Sequence, residues 1–412
     1  MQRRMYSEFF IGEKQGKSGC EEGHCSHCGM SHRYLRDFKD FTSEVCEACV
    51  DFQQPMFKGL KALRQDVDLQ PGERIGVTTS GGKDSIHALA TMVDMFGKER
   101  VVALTHRKQG LTHPLAEADL DRAVELLGVK LIKVEETRML GRFRQNLSLL
   151  LRKPDPALVR VVLCAGCRYG ITRELYAAGV RAGIRKYVSA ASYLELAPFK
   201  EELLERRGRG DLDAGFRQLM SEHPEYDYGD NMKYIIRDNG LKYKSNRQDD
   251  CGGLKERIKE YQLFDLDNYL PNDPEKVEAE VVRRFGWQRP ERSWHFDCEI
   301  EAVKDVFYYG LLGFTETDFK LSAMVRHGLM DLEEARRQLG VVRYDLEHSY
   351  SRMSEFLCRH GLEESLPDLR SFYRSSPYLQ LDMLGHQERT AMQQRRCLNG
   401  GWHDDSNSFS YA

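Results

Sequence analysis

Apolar residues change rhythm repeatedly between positions 57 and 200. A short helix is expected around Phe57 to Arg64, and the breaker pair Pro71-Gly72 then introduces the β-branched run Arg74-Ile75-Gly76-Val77-Thr78-Thr79, a first strand. From Asp84 to Met95 the residues Ile86, Leu89, Ala90 and Val93 recur at helical spacing. Arg100 to His106 gives a second strand, Leu115 to Leu127 a helix, and Val129 to Val134 a third strand. A helix from about Tyr169 to Ala182 leads into a fourth strand, Lys186 to Ala191. Strands alternating with helices in this way predict an α/β domain with a doubly wound parallel sheet.

Beyond position 200 charged helical segments dominate: Phe199 to Glu205, Pro274 to Phe285, Ile300 to Leu312, Asp331 to Leu339 and Asp345 to Arg359. Asp331 is expected to cap its helix while Glu334 reaches back to complete a capping box. Residues 1–52 are rich in Cys, His, Gly and charge and need a metal to fold without an apolar core. The expected organisation is a cysteine-rich segment 1–52, an α/β domain 53–200, a mainly helical region 201–386 and a polar tail 387–412.

Composition narrows the field only a little. A chain of 412 residues with 41% hydrophobic content can bury a sizeable core in two or three domains. A formal net charge of -3 gives no global pull toward nucleic acid or an anionic membrane. No apolar run approaches the ~18 residues that span a bilayer, and the amino terminus lacks an apolar leader core, so a cytoplasmic location without membrane partners is expected. Of eleven cysteines, six form three Cys-x-x-Cys pairs, and Cys20, Cys251, Cys298, Cys358 and Cys397 stand alone. Paired thiols in such a setting point to metal or redox chemistry before disulfides.

The turn Ser80-Gly81-Gly82-Lys83-Asp84-Ser85 joins the first strand to a helix. A glycine turn at that place exposes backbone N–H groups to phosphate, and the helix dipole adds positive potential. Ser80 and Ser85 are candidate hydroxyl donors, Lys83 a point charge for phosphate, and Asp84 a ligand for Mg2+ bridging phosphate oxygens. The spacing excludes a Walker-type loop. Ser-Gly-Gly-Lys-Asp-Ser after a β-branched strand resembles the PP-loop of the ATP pyrophosphatases, whose fold is of the HUP-like kind. That resemblance implies that ATP adenylates a carbonyl oxygen, pyrophosphate leaves, and a nucleophile displaces AMP. It also implies that adenine lies near Leu104 to His106 and that Ser189 to Ser192 face the nucleotide.

Cys25, Cys28, Cys46 and Cys49 have the spacing of a zinc ribbon, four thiolates around one Zn2+, with His24 and His27 beside the first pair. Cys164 and Cys167 sit just before a helix on the sheet's carboxyl side, where open α/β sheets bind ligands. A PP-loop, a later Cys-x-x-Cys and a lone cysteine resemble the iron–sulfur-dependent tRNA thiolases. The matching residues are Cys164, Cys167 and Cys251, with Cys298 competing as third ligand of a 4Fe-4S iron–sulfur cluster. The ribbon, the PP-loop and the stretch Tyr308 to Phe314, Ser322, Val325 to Met330 and Glu333 to Ala335 are similar to N-acetyl sugar amidotransferases of surface-polysaccharide biosynthesis. Arg326 and His327 are candidate substrate or phosphate contacts, and His295 and Asp297 candidate acid–base groups.

The two resemblances share an electrophile-making step and differ in nucleophile. The first expectation is thiolation catalysed by Lys83, Asp84, Cys164, Cys167 and Cys251, with ATP held by residues 80–85 and His106. The alternative is amidation of an acetamido sugar with ammonia from a glutaminase partner. Expected partners are ATP, a small-molecule or nucleotide-sugar acceptor, and a sulfur donor or glutaminase; tRNA is the lesser expectation, with the small basic cluster Arg206-Arg207-Gly208-Arg209 as a candidate phosphate contact. A third, non-catalytic expectation is a nucleotide-binding scaffold.

Overall fold

The computed structural model describes residues 23–34, 44–108, 110–136, 139–164, 167, 174–190, 192–228, 262–289 and 298–379. The chain divides into two compact units, one of Gln54–Phe143 with Cys164–Glu301 and one of Met1–Gln53, Arg144–Leu163 and Ala302–Ala412.

The first unit is built on a five-stranded parallel sheet. Its strands are β1 (Ile75–Thr78), β2 (Val101–Lys108), β3 (Lys130–Glu136), β4 (Lys186–Ser189) and β5 (Gln262–Asp265), in spatial order β3-β2-β1-β4-β5. Every pairing is parallel, and β1 at the centre pairs Thr78 with Leu104 of β2 and Val77 with Val188 of β4. Parallel strands are covered on both faces, which is why β1 and β2 read as nearly continuous apolar runs. Side chains alternate across the sheet. Val101 and Ala103 join Ile75, Val77, Ala88, Leu89 and Met92 on one face, and Val102 and Leu104 join Tyr176, Ile184 and Tyr187 on the other.

Helix α1 (Lys83–Phe96) follows β1, and α2 (Pro114–Leu127) follows β2. A third helix, α3 (Pro274–Phe285), starts with Asp273 accepting the Lys276 amide at 3.2 Å and Pro274 in the first turn, and it ends on Gly286 in the left-handed region. Its Val281 and Phe285, with Trp287, pack on Ile86 and Ala90 of α1 and Ala116 and Ala123 of α2.

The four strands expected from the sequence are present, as are the α1, α2 and α3 helices. The fifth strand was not announced, because Gln262-Leu263-Phe264-Asp265 is a short edge strand with only two apolar residues. Helices Met139–Arg152, Pro156–Leu163 and Leu212–Glu222 were also unforeseen. Of the helix expected from Tyr169, the described part is Tyr176–Arg181.

In the second unit, residues 23–34 form a turn closed by a His24–Ser31 bridge, and Cys46 opens the single helical turn Glu47–Val50. Helices α4 (Glu316–Arg326), Leu332–Glu347, Tyr350–Arg359 and Leu366–Ser375 follow. Tyr34 packs edge-on against Phe314 and Phe319, at 5.9 and 4.8 Å between ring centroids. Arg33 donates to the Gly313 carbonyl at 2.9 Å and lies over the Tyr378 ring. Asp331 does cap its helix, accepting from the Glu334 amide at 2.8 Å, but the Glu334 carboxylate turns to Arg337 and Gln338 rather than back to the cap. The capping box stands instead at Thr315 and Asp318, where the Thr315 amide donates to Asp318 at 2.8 Å. Among the described residues no helix is long and apolar enough to cross a membrane.

Candidate nucleotide site and metal centre

The Ser-Gly-Gly turn sits at the carboxyl end of the central strand. Thr79 stitches it to β2, its amide and its hydroxyl both donating to the Leu104 carbonyl, at 2.8 and 3.1 Å. Gly81 has φ 91°, and a Cβ there would lie 2.0 Å from the Ala116 carbonyl oxygen, so only glycine fits. Gly82 is the N-cap of α1, and no side chain caps that helix, which leaves its first amides for a ligand. The Ser85 hydroxyl donates to the Gly82 carbonyl at 2.8 Å and accepts the Ser80 amide at 3.2 Å. Ser85 therefore shapes the turn, where the sequence suggested a free donor. Lys83, buried, pairs with Asp84 at 2.7 Å.

His106 lies on β2 two residues past the carbonyl that holds Thr79. It is 7% exposed, and among the described residues neither ring nitrogen has a hydrogen-bond partner. Burial first, then the Lys108 charge, hold its pKa down at about 4, so the ring is neutral at pH 7 with one donor and one acceptor unused. An unpaired buried imidazole is costly unless a ligand completes it.

At the far end of the sheet, Asp267 follows β5. Burial pushes its pKa up to about 7, the nearby Asp265, Asp84 and Glu195 carboxylates push the same way, and the Tyr193 amide opposes them from 2.7 Å. Ser189, expected to face the nucleotide, donates its hydroxyl to Asp265, and Ser192 caps the turn Tyr193–Glu195 while accepting from Asn272 at 3.0 Å. Asp265, Asp267 and Trp287 were missed by the sequence reading. The one signal for the acidic pair was Asp-Leu-Asp after Leu263-Phe264, hidden because the strand itself went unread.

Cys25, Cys28, Cys46 and Cys49 converge in the second unit, with all four sulfurs within 4.8 Å of one another. The Cys25–Cys49 and Cys28–Cys46 separations are 3.8 and 3.6 Å. A tetrahedral ion with metal–sulfur bonds of about 2.3 Å needs sulfurs about 3.8 Å apart, so the set fits one ion. Arg326, a candidate substrate or phosphate contact in the sequence, faces the cysteine group. Its guanidinium donates to Cys28 at 3.3 Å, and the His327 ring meets Phe52 edge-on at 4.9 Å.

Cys164 and Cys167 are half-buried. Cys298 pairs with Thr112 in an antiparallel bridge beside the loop that follows β2. Among the described residues, Cys164, Cys167 and Cys298 do not form a group that could hold a metal. Cys251 lies outside the described residues, as do the candidate acid–base groups His295 and Asp297. In the basic cluster Arg206 to Arg209, Arg207 is ion-paired with Glu222.

The glycine turn thus stands at the carboxyl end of the central strand of a five-stranded parallel sheet, at the start of α1. Among solved structures the chain is similar to the U34-tRNA thiolase NcsA from Methanococcus maripaludis with its 4Fe-4S cluster, at 13% identity over 80% of this chain and 88% of that one, TM-score 0.34. It is also similar to a glutamine-dependent NAD+ synthetase from Acinetobacter baumannii in complex with ADP, at 16% identity over 69% of this chain and 42% of that one, TM-score 0.25. The NMN synthetase from Francisella tularensis matches at 18% identity over 46% of this chain and 83% of that one, TM-score 0.24. At these identities the likeness is one of fold alone. No protein-family model and no curated protein matches the sequence.

Proposed function

We propose that the chain is an ATP-consuming enzyme that adenylates a carbonyl or amide oxygen of its acceptor and lets a nucleophile displace AMP. The observation that carries this reading is the turn itself: glycines at Gly81 and Gly82, an uncapped helix amino terminus, and the Lys83–Asp84 pair poised to re-partner. In this reading the β- and γ-phosphates lie on the Gly82 amide, exchanging its long bond to the Ser80 hydroxyl for phosphate oxygen, and on the first amides of α1. Lys83 exchanges Asp84 for phosphate oxygen, which releases the Asp84 carboxylate to hold magnesium, the ion that would neutralise phosphate charge. His106 offers its unused donor and acceptor to the adenine edge. The acceptor oxygen attacks the α-phosphorus, the bond to the bridging oxygen breaks, and pyrophosphate leaves. The nucleophile then bonds to the activated carbon as AMP departs with the former acceptor oxygen.

For the transferred group, sulfide-level sulfur comes first, with the half-buried Cys164 and Cys167 and either Cys251 or Cys298 as the ligands that would hold an iron–sulfur cluster to carry it. The second reading is nitrogen transfer to an acetamido sugar from a glutaminase partner. It is favoured by the failure of Cys164, Cys167 and Cys298 to gather into a metal-holding group among the described residues. In both readings Cys25, Cys28, Cys46 and Cys49 hold one zinc ion as a structural site.

The test is anaerobic purification followed by iron, zinc and sulfide analysis, together with pyrophosphate release from ATP. About four irons with matching sulfide support thiolation, and Cys164→Ser or Cys167→Ser then removes product while ATP still binds. About one zinc and no iron favours amidation sustained by ammonia. ATP bound without pyrophosphate release under any acceptor would leave a scaffold and refute the enzymatic reading.

A further inference from the structure

Trp287 stands 206 positions from the turn in sequence, yet its indole N–H donates to the Gly81 carbonyl at 3.2 Å. The residue is buried, packed among Ile86, Ala90 and Ala116 from the helices on either side of the turn. Its neighbours are fixed as well. Arg122 donates to the Gly286 carbonyl at 2.8 Å and to Asp119 at 2.8 Å, and the Gln288 amide donates to the other Asp119 oxygen at 3.3 Å. Residues 286–288 are thus pinned to α2 on both sides of the indole, which makes the indole a fixed donor.

The bond falls on the one peptide where orientation matters most. In a trans peptide the C=O and the following N–H point in opposite directions. Holding the Gly81 carbonyl on Trp287 therefore turns the Gly82 N–H the other way, toward the Ser80 hydroxyl at 3.4 Å and the open side of the turn. A Gly-Gly peptide has no Cβ on either side to resist rotation, so glycine identity permits this orientation without selecting it. Selection has to come from outside the turn.

We infer that Trp287 is a positioning residue for the phosphate turn, one that aims the Gly82 amide at the terminal phosphates of the nucleotide. The inference rests on the nucleotide reading given above. The loss of one aimed charge-assisted hydrogen bond corresponds to about tenfold in affinity.

The experiment is calorimetric titration of the full chain and of Trp287→Phe with ATP, inorganic pyrophosphate and AMP in magnesium buffer. The phenyl ring keeps most of the packing and removes the donor. ATP and pyrophosphate should each bind about tenfold more weakly, with AMP within twofold of the unsubstituted chain. ATP and pyrophosphate within twofold would overturn the inference, and so would an equal loss for all three ligands, the mark of a packing role only. If the Phe variant does not fold, Trp287→Leu, which also lacks a donor, replaces it under the same two criteria. A wild-type chain that binds neither ATP nor pyrophosphate sinks the nucleotide reading and this inference with it, whereas wild-type binding with an indifferent variant sinks the inference alone.

Discussion

Replacing Gly81 by alanine tests the phosphate turn most directly. The new Cβ would sit 2.0 Å from the Ala116 carbonyl oxygen, against a floor of 3.0 Å for real Cβ contacts, so turn and helix must part by 1.0 Å (3.0 minus 2.0). The obstacle is backbone, which cannot rotate aside. A φ of 91° adds a conformational cost of about 1–3 kcal/mol for any residue with a Cβ. Shifting packed backbone costs about 1–3 kcal/mol more, for a total of roughly 2–6 kcal/mol. In a unit of this size each kcal/mol lowers Tm by about 2–4 °C, so a fall of roughly 4–24 °C is expected, with ATP affinity down at least about tenfold as the amides leave their places. Gly82→Ala is the internal control. Gly82 has φ −68°, and its nearest neighbour would be the flexible Ser80 hydroxyl at 3.5 Å, so its stability cost stays below about 1 kcal/mol. Scanning calorimetry and ATP titration of both variants decide the matter. A Gly81→Ala chain that melts within 2 °C of wild type and binds ATP equally well would show that the turn does not have this conformation.

Three further outcomes follow from buried charge and from the thiolates. His106 has a folded pKa of about 4 against 6.5 in the unfolded chain, so its contribution to stability is present above pH 6.5 and is lost as pH falls toward 4. Wild type should lose about 2 kcal/mol from this group between pH 7 and pH 5, and denaturation of His106→Asn at both values should show that acid limb flattened. Asp267 runs the opposite way: its folded pKa of about 7 lies above 3.8, so its contribution is full below pH 3.8 and is lost as pH rises through 7. Asp267→Asn should therefore be more stable than wild type by about 1–2 kcal/mol at pH 8, after discounting for its partial exposure, and no more stable at pH 4; equal gains at both would refute the charge argument. Cys28→Ser should drop bound zinc well below one per chain, while Arg326→Gln should keep the ion but weaken it about tenfold in chelator competition, since the guanidinium donates to the Cys28 sulfur.

What the sequence disclosed divides along a physical line. The strand-to-helix glycine turn was legible because it belongs to six consecutive residues, and the four-cysteine group was legible because each pair of thiols, with two residues between them, already brings half of a tetrahedral set together. Strands β1 and β2 were legible because burial on both faces writes an apolar run into the chain. β5 was not, because an edge strand four residues long needs only Leu263 and Phe264 and takes its definition from β4. The same limit explains Arg326: its charge was visible, its partner 298 positions away was not. Trp287 extends the point. Gly81 and Gly82 tell that the turn can take many conformations, and the indole that favours one of them lies beyond any local pattern. Permission is local and selection is distant, so a glycine turn read from sequence names a ligand class long before it names the residues that hold the turn in shape.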